Sequence, residues 1–123
     1  MPWTIEYLEN LGIAYTKSFG EMDYPDYKKQ AEAVIKLSRQ FGSGLYLSDI
    51  REQENRAKLS DILRINAIYK EMGQSPDTRL AIIVDKKQRD YNLVKIFELS
   101  CTVRGWNVRA FIDREEATRW LLA

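Results

Sequence analysis

The chain has 123 residues, 19 basic and 18 acidic side chains and a net charge of +1, which suits a single domain over residues 1–123 with its own hydrophobic core. A charge balance this even argues against a surface given over to nucleic acid. With no histidine and one cysteine, Cys101, the composition excludes Ser-His-Asp and Cys-His catalysis, an internal disulfide and the common Cys/His zinc sites, so no metal or cofactor is expected.

The first residues lack the pattern of a secretory leader, and no apolar run approaches the length of a membrane span. A cytoplasmic domain without membrane insertion is the expectation. Trp3, Ile5 and Tyr7 alternate with polar neighbours, and Ile13 to Phe19 alternates again after the turn residues Asn10 and Gly12. This predicts a hairpin closed by Gly20, with Trp3, Tyr7, Tyr15 and Phe19 forming an aromatic side.

From Asp23 the period changes. Tyr27, Ala31, Val34, Ile35, Ser38 and Phe41 mark one stripe of a helix over Tyr24 to Phe41, with Asp23 as N-cap and Gly42 as C-cap. Leu45 to Ile50 reads as a strand and Arg51 to Arg56 as a polar connection. A second helix follows with Leu59, Ile62, Leu63, Ile65, Ile68, Tyr69 and Met72 giving a wide apolar face, stopped by Gly73, and with Asn66 within or at the edge of the stripe, either solvated or hydrogen-bonded to local backbone.

Leu80-Ala81-Ile82-Ile83-Val84 is an uninterrupted apolar run, the signature of a strand covered on both faces, and is expected at the middle of the sheet. Asp90 is placed to cap a third helix carrying Leu93, Val94, Ile96, Phe97 and Cys101, with Cys101 as a small buried hydrophobe, and Gly105 ends it. The last strand runs from Asn107 to Ile112, and Asp113 with Glu116 suggests a capping box for a final helix. The order β-β-α-β-α-β-α-β-α implies an α/β fold with a mixed, mostly parallel sheet of about five strands and helices packed on it.

Leu47-Ser48-Asp49-Ile50-Arg51, the strand Leu80 to Val84 and the ending Val108 to Leu121 resemble the SpoIIAA-like family, whose fold is related to the STAS domain of anti-sigma-factor antagonists. The ending, a strand followed by an acidic helix start and a Trp-Leu pair, is the most specific part. The resemblance implies a SpoIIAA/STAS-like sheet and a regulatory or protein-interaction role, with a distant likeness to lipid-transfer domains. In the antagonists a serine at the start of the second helix, within an Asp-Ser-Ser-Gly-like motif, is phosphorylated. Here Gln53 to Ser60 lacks that motif, and Ser60, the nearest hydroxyl, is expected to face solvent.

Three functional readings follow. The first is a non-enzymatic regulatory or interaction module that homodimerises or meets a protein partner through the aromatic side of the hairpin. The second is a carrier or sensor of a small anionic metabolite or a lipid, distinguished from the first by a cavity. A candidate anion-binding rim comprises Asp49, Arg51, Asp85, Lys86, Lys87 and Arg89, in the loops after two neighbouring strands and beside the third helix's N-terminus. The third is an enzyme with Lys86 or Asp85 as general base, which requires burial or charge to shift the lysine.

Overall fold

A computed structural model describes all residues, Met1–Ala123. Strand β1 (Trp3–Leu8) turns through Gly12, whose φ of 69° only glycine adopts without strain, into β2 (Ile13–Met22). There follow α1 (Tyr24–Phe41), β3 (Leu45–Asn55), α2 (Leu59–Glu71), β4 (Arg79–Ile83), α3 (Tyr91–Val103), β5 (Asn107–Phe111) and α4 (Arg114–Leu122). The strands lie in the order β1-β2-β3-β4-β5, the first pair antiparallel and the rest parallel. This is the mixed sheet expected from the sequence.

Strand order and chain order coincide, so each right-handed crossover steps in the same direction and lays its helix on the same face. Helices α1, α2 and α3 therefore form one layer, packed side by side. The opposite face carries only α4, which lies against β3, β4 and β5. Two cores result. Beneath the three helices are Trp3, Met22, Tyr27, Ile50, Val84 and Phe97, with their neighbours; against α4 lie Ile13, Leu47, Ala81, Ile83, Ala117 and Leu121.

The apolar run at Leu80–Val84 is an interior strand buried on both faces, with Ala81, Ile83 and Val84 at 0 % exposure. It is not the middle one. That place belongs to β3, which pairs with both β2 and β4 and is longer than its alternation suggests. Residues 51–55, expected as a connection, continue the strand: Glu52 to Asn55 pair with Phe19 to Met22, and Gly20 lies inside β2 rather than closing it. The polar composition of this stretch reflects its position beyond the end of β4, where only β2 remains to cover it.

The extension includes a register slip. Lys17 faces Asp49 but Phe19 faces Glu52, so β3 contains one residue more than β2 between them. An extra residue reverses which face the following side chains take. Up to Ile50, the even-numbered side chains Tyr46 and Ile50 pack under the three helices and the odd-numbered Leu47 packs under α4. Gln53, odd in number, lies on the helix-covered face, where it joins the lining of a cavity.

The aromatic side of the hairpin is not formed. Tyr7 pairs with Ala14 and Trp3 with Ser18, whereas Tyr15 pairs with Glu6, which sends Tyr15 to the opposite face. Trp3 is buried, Tyr7 stacks on Phe41 at 4.0 Å, Tyr15 lies under the Arg114 guanidinium, and Phe19 is exposed. Four alternating aromatics share one surface only when the pairing of the two strands is left out of account.

Helix caps follow the sequence in part. Asp23 and Asp26 form a reciprocal capping box at α1, and Gly42 ends that helix in the left-handed conformation at φ 68°. Asp113 caps α4 through the Glu115 N–H at 3.3 Å rather than through Glu116. Asp90 stands at the N-cap of α3, yet its carboxylate turns away to accept the Asn55 N–H at 3.0 Å. Asn66 is buried at 8 % exposure, which excludes the solvated alternative. No helix is long and apolar enough to cross a membrane.

Candidate functional site

The carboxyl ends of β3 and β4 are adjacent, with Asp49 opposite Ile83, so the two loops of the candidate rim are neighbours. Their side chains are used differently. Asp49 is buried at 5 % exposure and accepts from Arg51 three times, at its backbone N (3.1 Å), its Nε (3.0 Å) and its terminal guanidinium nitrogen (2.8 Å). Burial by itself would push the Asp49 carboxyl up, but the donors and charge of Arg51 outweigh it and hold the group below the usual carboxylate range. The charge of Arg51 is therefore spent on Asp49.

The other rim residues lie in the turn after β4. Asp85 accepts the Lys87 N–H at 3.0 Å, and Gln88 folds back to accept the Asp85 N–H while its amide donates to the Ile50 carbonyl at 2.8 Å. Lys86, Lys87 and Arg89 extend into solvent around this turn. Lys86 is exposed, so the burial that a lysine general base needs is not there. Ser60 is exposed at the second position of α2, a helix whose N-cap, Lys58, makes no side-chain capping bond.

Another feature lies beneath the three helices. A cavity of about 100 Å³ separates the sheet from α1, α2 and α3. Its cause is local. In the row where β2, β3 and β4 align, the inward positions are Thr16, Ser48 and Ile82, and Ala31 is the smallest of the four α1 residues in the lining, so Thr16, Ser48 and Ala31 stand where larger side chains would close the layer. The far end is apolar, with Tyr46 and Tyr69 in edge-to-face contact at 5.7 Å.

The near end, toward the carboxyl ends of the strands, is polar. Gln30 donates to the Ser18 hydroxyl at 2.9 Å, Tyr27 donates to Asn55 Oδ1 at 2.9 Å, and Asp90 lies beside Asn55. Burial, with the Asp90 charge adding to it, raises the Tyr27 phenol well above its usual value, so this group remains a donor through the neutral range. Gln53 completes that end, with its Oε1 buried and without a partner. No lysine or arginine lines the cavity.

The rim read from the sequence lies on loops at the same end of the sheet as the polar end of this cavity. It leaves out Gln53, because alternation assigns that residue to the other face unless the register slip is known. The small inward residues Thr16, Ser48 and Ala31 were the one legible sign of the void. Cys101 is buried at 0 % exposure, and burial pushes its thiol up to about 12, far from a reactive thiolate.

No protein-family model matches the chain, and no curated protein matches it. Among solved structures it is similar to an uncharacterised protein of the DUF3478 family from Shewanella loihica PV-4, described as having a SpoIIAA-like fold. The two superpose with a TM-score of 0.60 over 97 % of this chain and 91 % of that one, at 18 % identity. The chain has a SpoIIAA-like fold. At that identity the likeness speaks for architecture alone, and within the SpoIIAA-like fold the five-stranded sheet and four helices are accounted for.

Proposed function

We propose that this SpoIIAA-like domain is a non-enzymatic carrier or sensor that binds a small, largely apolar molecule between its sheet and α1, α2 and α3. The observation that carries this reading is the cavity of about 100 Å³. Interiors are ordinarily close-packed, so a space of this size between sheet and helices is a departure that a bound molecule would fill. Cavities of about 150 Å³ take up benzene, which sets the size of the occupant near one small ring or a short chain. An anionic metabolite fits less well, because the lining offers Asp90 and no cation.

Toluene titrated into labelled protein is expected to shift the amide resonances of Thr16, Ala31 and Ile65, which line the cavity. Ala31→Leu fills the space and is expected to abolish those shifts without lowering the melting temperature by more than about 3 °C, a cost under 1 kcal/mol. Resonances of the lining that stay fixed in the wild type at saturating toluene defeat the proposal.

A second reading, contact with a protein or with another copy of the chain, is favoured by an apolar stripe on the outer face of α3. Ile96, Leu99 and Val103 are 46, 65 and 78 % exposed, at helical spacing. Under this reading light scattering at low micromolar concentration gives a dimer mass that Leu99→Lys reduces to the monomer. A monomer mass in the wild type counts against self-association.

A further inference from the structure

We infer that the occupant of the cavity is a hydrogen-bond donor, a neutral hydroxyl or N–H carried on an apolar body, and that the Gln53 side-chain carbonyl receives it. This rests on the cavity being a binding site, and it names the chemistry of what binds. Gln53 is 8 % exposed, and its Oε1 is the one buried side-chain polar atom in the protein that lacks a partner. A buried acceptor left without a donor is costly, and native folds rarely tolerate it without a reason.

The Gln53 backbone carbonyl is approached by the Gln88 amide at 3.4 Å, and the nearby donors of the Asn55 backbone and the Tyr27 phenol are already engaged with Asp90 and Asn55. The slip between Lys17 and Phe19 turns the Gln53 side chain inward, where regular alternation would have turned it outward. Asp90, also 8 % exposed, is a second acceptor at the same end, with one of its oxygens held by Asn55. Two acceptors and no lysine or arginine make this end of the cavity receptive to a donor and unfavourable to an anion.

Four probes of one ring size separate these claims: toluene, phenol, anisole and benzoate, titrated at pH 7 and followed by the amide resonances of the lining. In a wholly apolar cavity phenol is the weakest of the neutral three, because its hydroxyl loses its hydration for nothing. Here phenol is expected to bind about fivefold more tightly than toluene, the worth of one net hydrogen bond. Anisole, which accepts but does not donate, is expected to bind no more tightly than toluene, and benzoate not to bind. Gln53→Met, similar in shape and lacking the carbonyl, is expected to erase the advantage of phenol while leaving toluene affinity within twofold.

Toluene binding with phenol equal or weaker overturns the donor inference and leaves the cavity reading standing. An advantage for phenol that survives in Gln53→Met overturns the assignment to Gln53. If none of the probes binds, the cavity reading itself fails and bound water is its occupant. Should Gln53→Met not fold, the order of phenol, toluene and anisole on the wild type decides the matter.

Discussion

Arg51→Ala is expected to destabilise the fold by about 1.5–3 kcal/mol at pH 7, the range for hydrogen bonds to a charged group. Asp49 is buried, and two of its three bonds, at 3.0 and 2.8 Å, come from the Arg51 side chain. Losing one partner of a buried pair leaves a charge without compensation, which costs more than losing both. The guanidinium is 44 % exposed, so water softens the loss and keeps it below that of a fully buried pair. The sign of the pH dependence follows from the direction of the shift. The Asp49 carboxyl lies below its ordinary value in the folded protein, so its contribution is complete above the unfolded-state value, about 4, and is lost as pH falls through the folded-state value. In Arg51→Ala burial is opposed only by the residue-51 backbone N–H and the charge of Lys17, so the carboxyl moves back up. The gap in melting temperature between wild type and variant is therefore expected to be widest at neutral pH and to close in acid. Asp49→Asn added to Arg51→Ala is expected to recover part of the loss. A gap that stays constant from pH 7 to pH 3 would show that Arg51 acts through packing rather than charge.

The same pair shows how much of this fold was legible in the sequence. Hydrophobic periodicity placed every helix and strand in the right order, because each of α1, α2, α3 and α4 has one apolar face and each strand has its own alternation or apolar run. The bounds of α1 follow from its two caps, Asp23 and Gly42, which are chemical signals at fixed positions. What failed was anything that depended on pairing. Residues 51–55 are polar, and nothing local marks them as strand; their extended form comes from β2 lying alongside. The aromatics of the hairpin fall on opposite faces because register, not composition, decides which side of a sheet a residue takes.

The cavity was hidden from the sequence in the same way. Charge-bearing loops attract attention in a sequence, and the rim at Lys86, Lys87 and Arg89 is a loop whose backbone is already satisfied by Asp85 and Gln88. A cavity is legible only as missing volume. Thr16, Ser48 and Ala31 are unremarkable one at a time, and they define a space only once three separate elements bring them together. The parity of Gln53 hangs on one inserted residue.

Asn55 ties that end of the cavity together, and Asn55→Ala is expected to cost about 2–3 kcal/mol through the buried partners it leaves unmet. Its Oδ1 accepts from the Tyr27 phenol at 2.9 Å and from the Ala57 N–H at 3.0 Å, and its Nδ2 donates to the Ala57 carbonyl at 2.9 Å. Three elements meet there: the start of α1 through Tyr27, the end of β3, and the start of α3 through Asp90. Alanine keeps the backbone bond to Asp90 but takes the acceptor from the phenol of Tyr27, a residue only 8 % exposed. Tyr27→Phe introduced on top of Asn55→Ala is then expected to cost little further, since its hydroxyl has already lost its acceptor, whereas Tyr27→Phe alone costs about 1 kcal/mol. The coupling between the two, measured by denaturant unfolding of all four proteins, is expected to lie near 1 kcal/mol. Strict additivity would mean that the phenol finds another acceptor when Asn55 is gone. The unmet carbonyl of Gln53, on the same end of the cavity, is the group best placed to supply one, so additivity here and a lost phenol preference in Asn55→Ala would appear together.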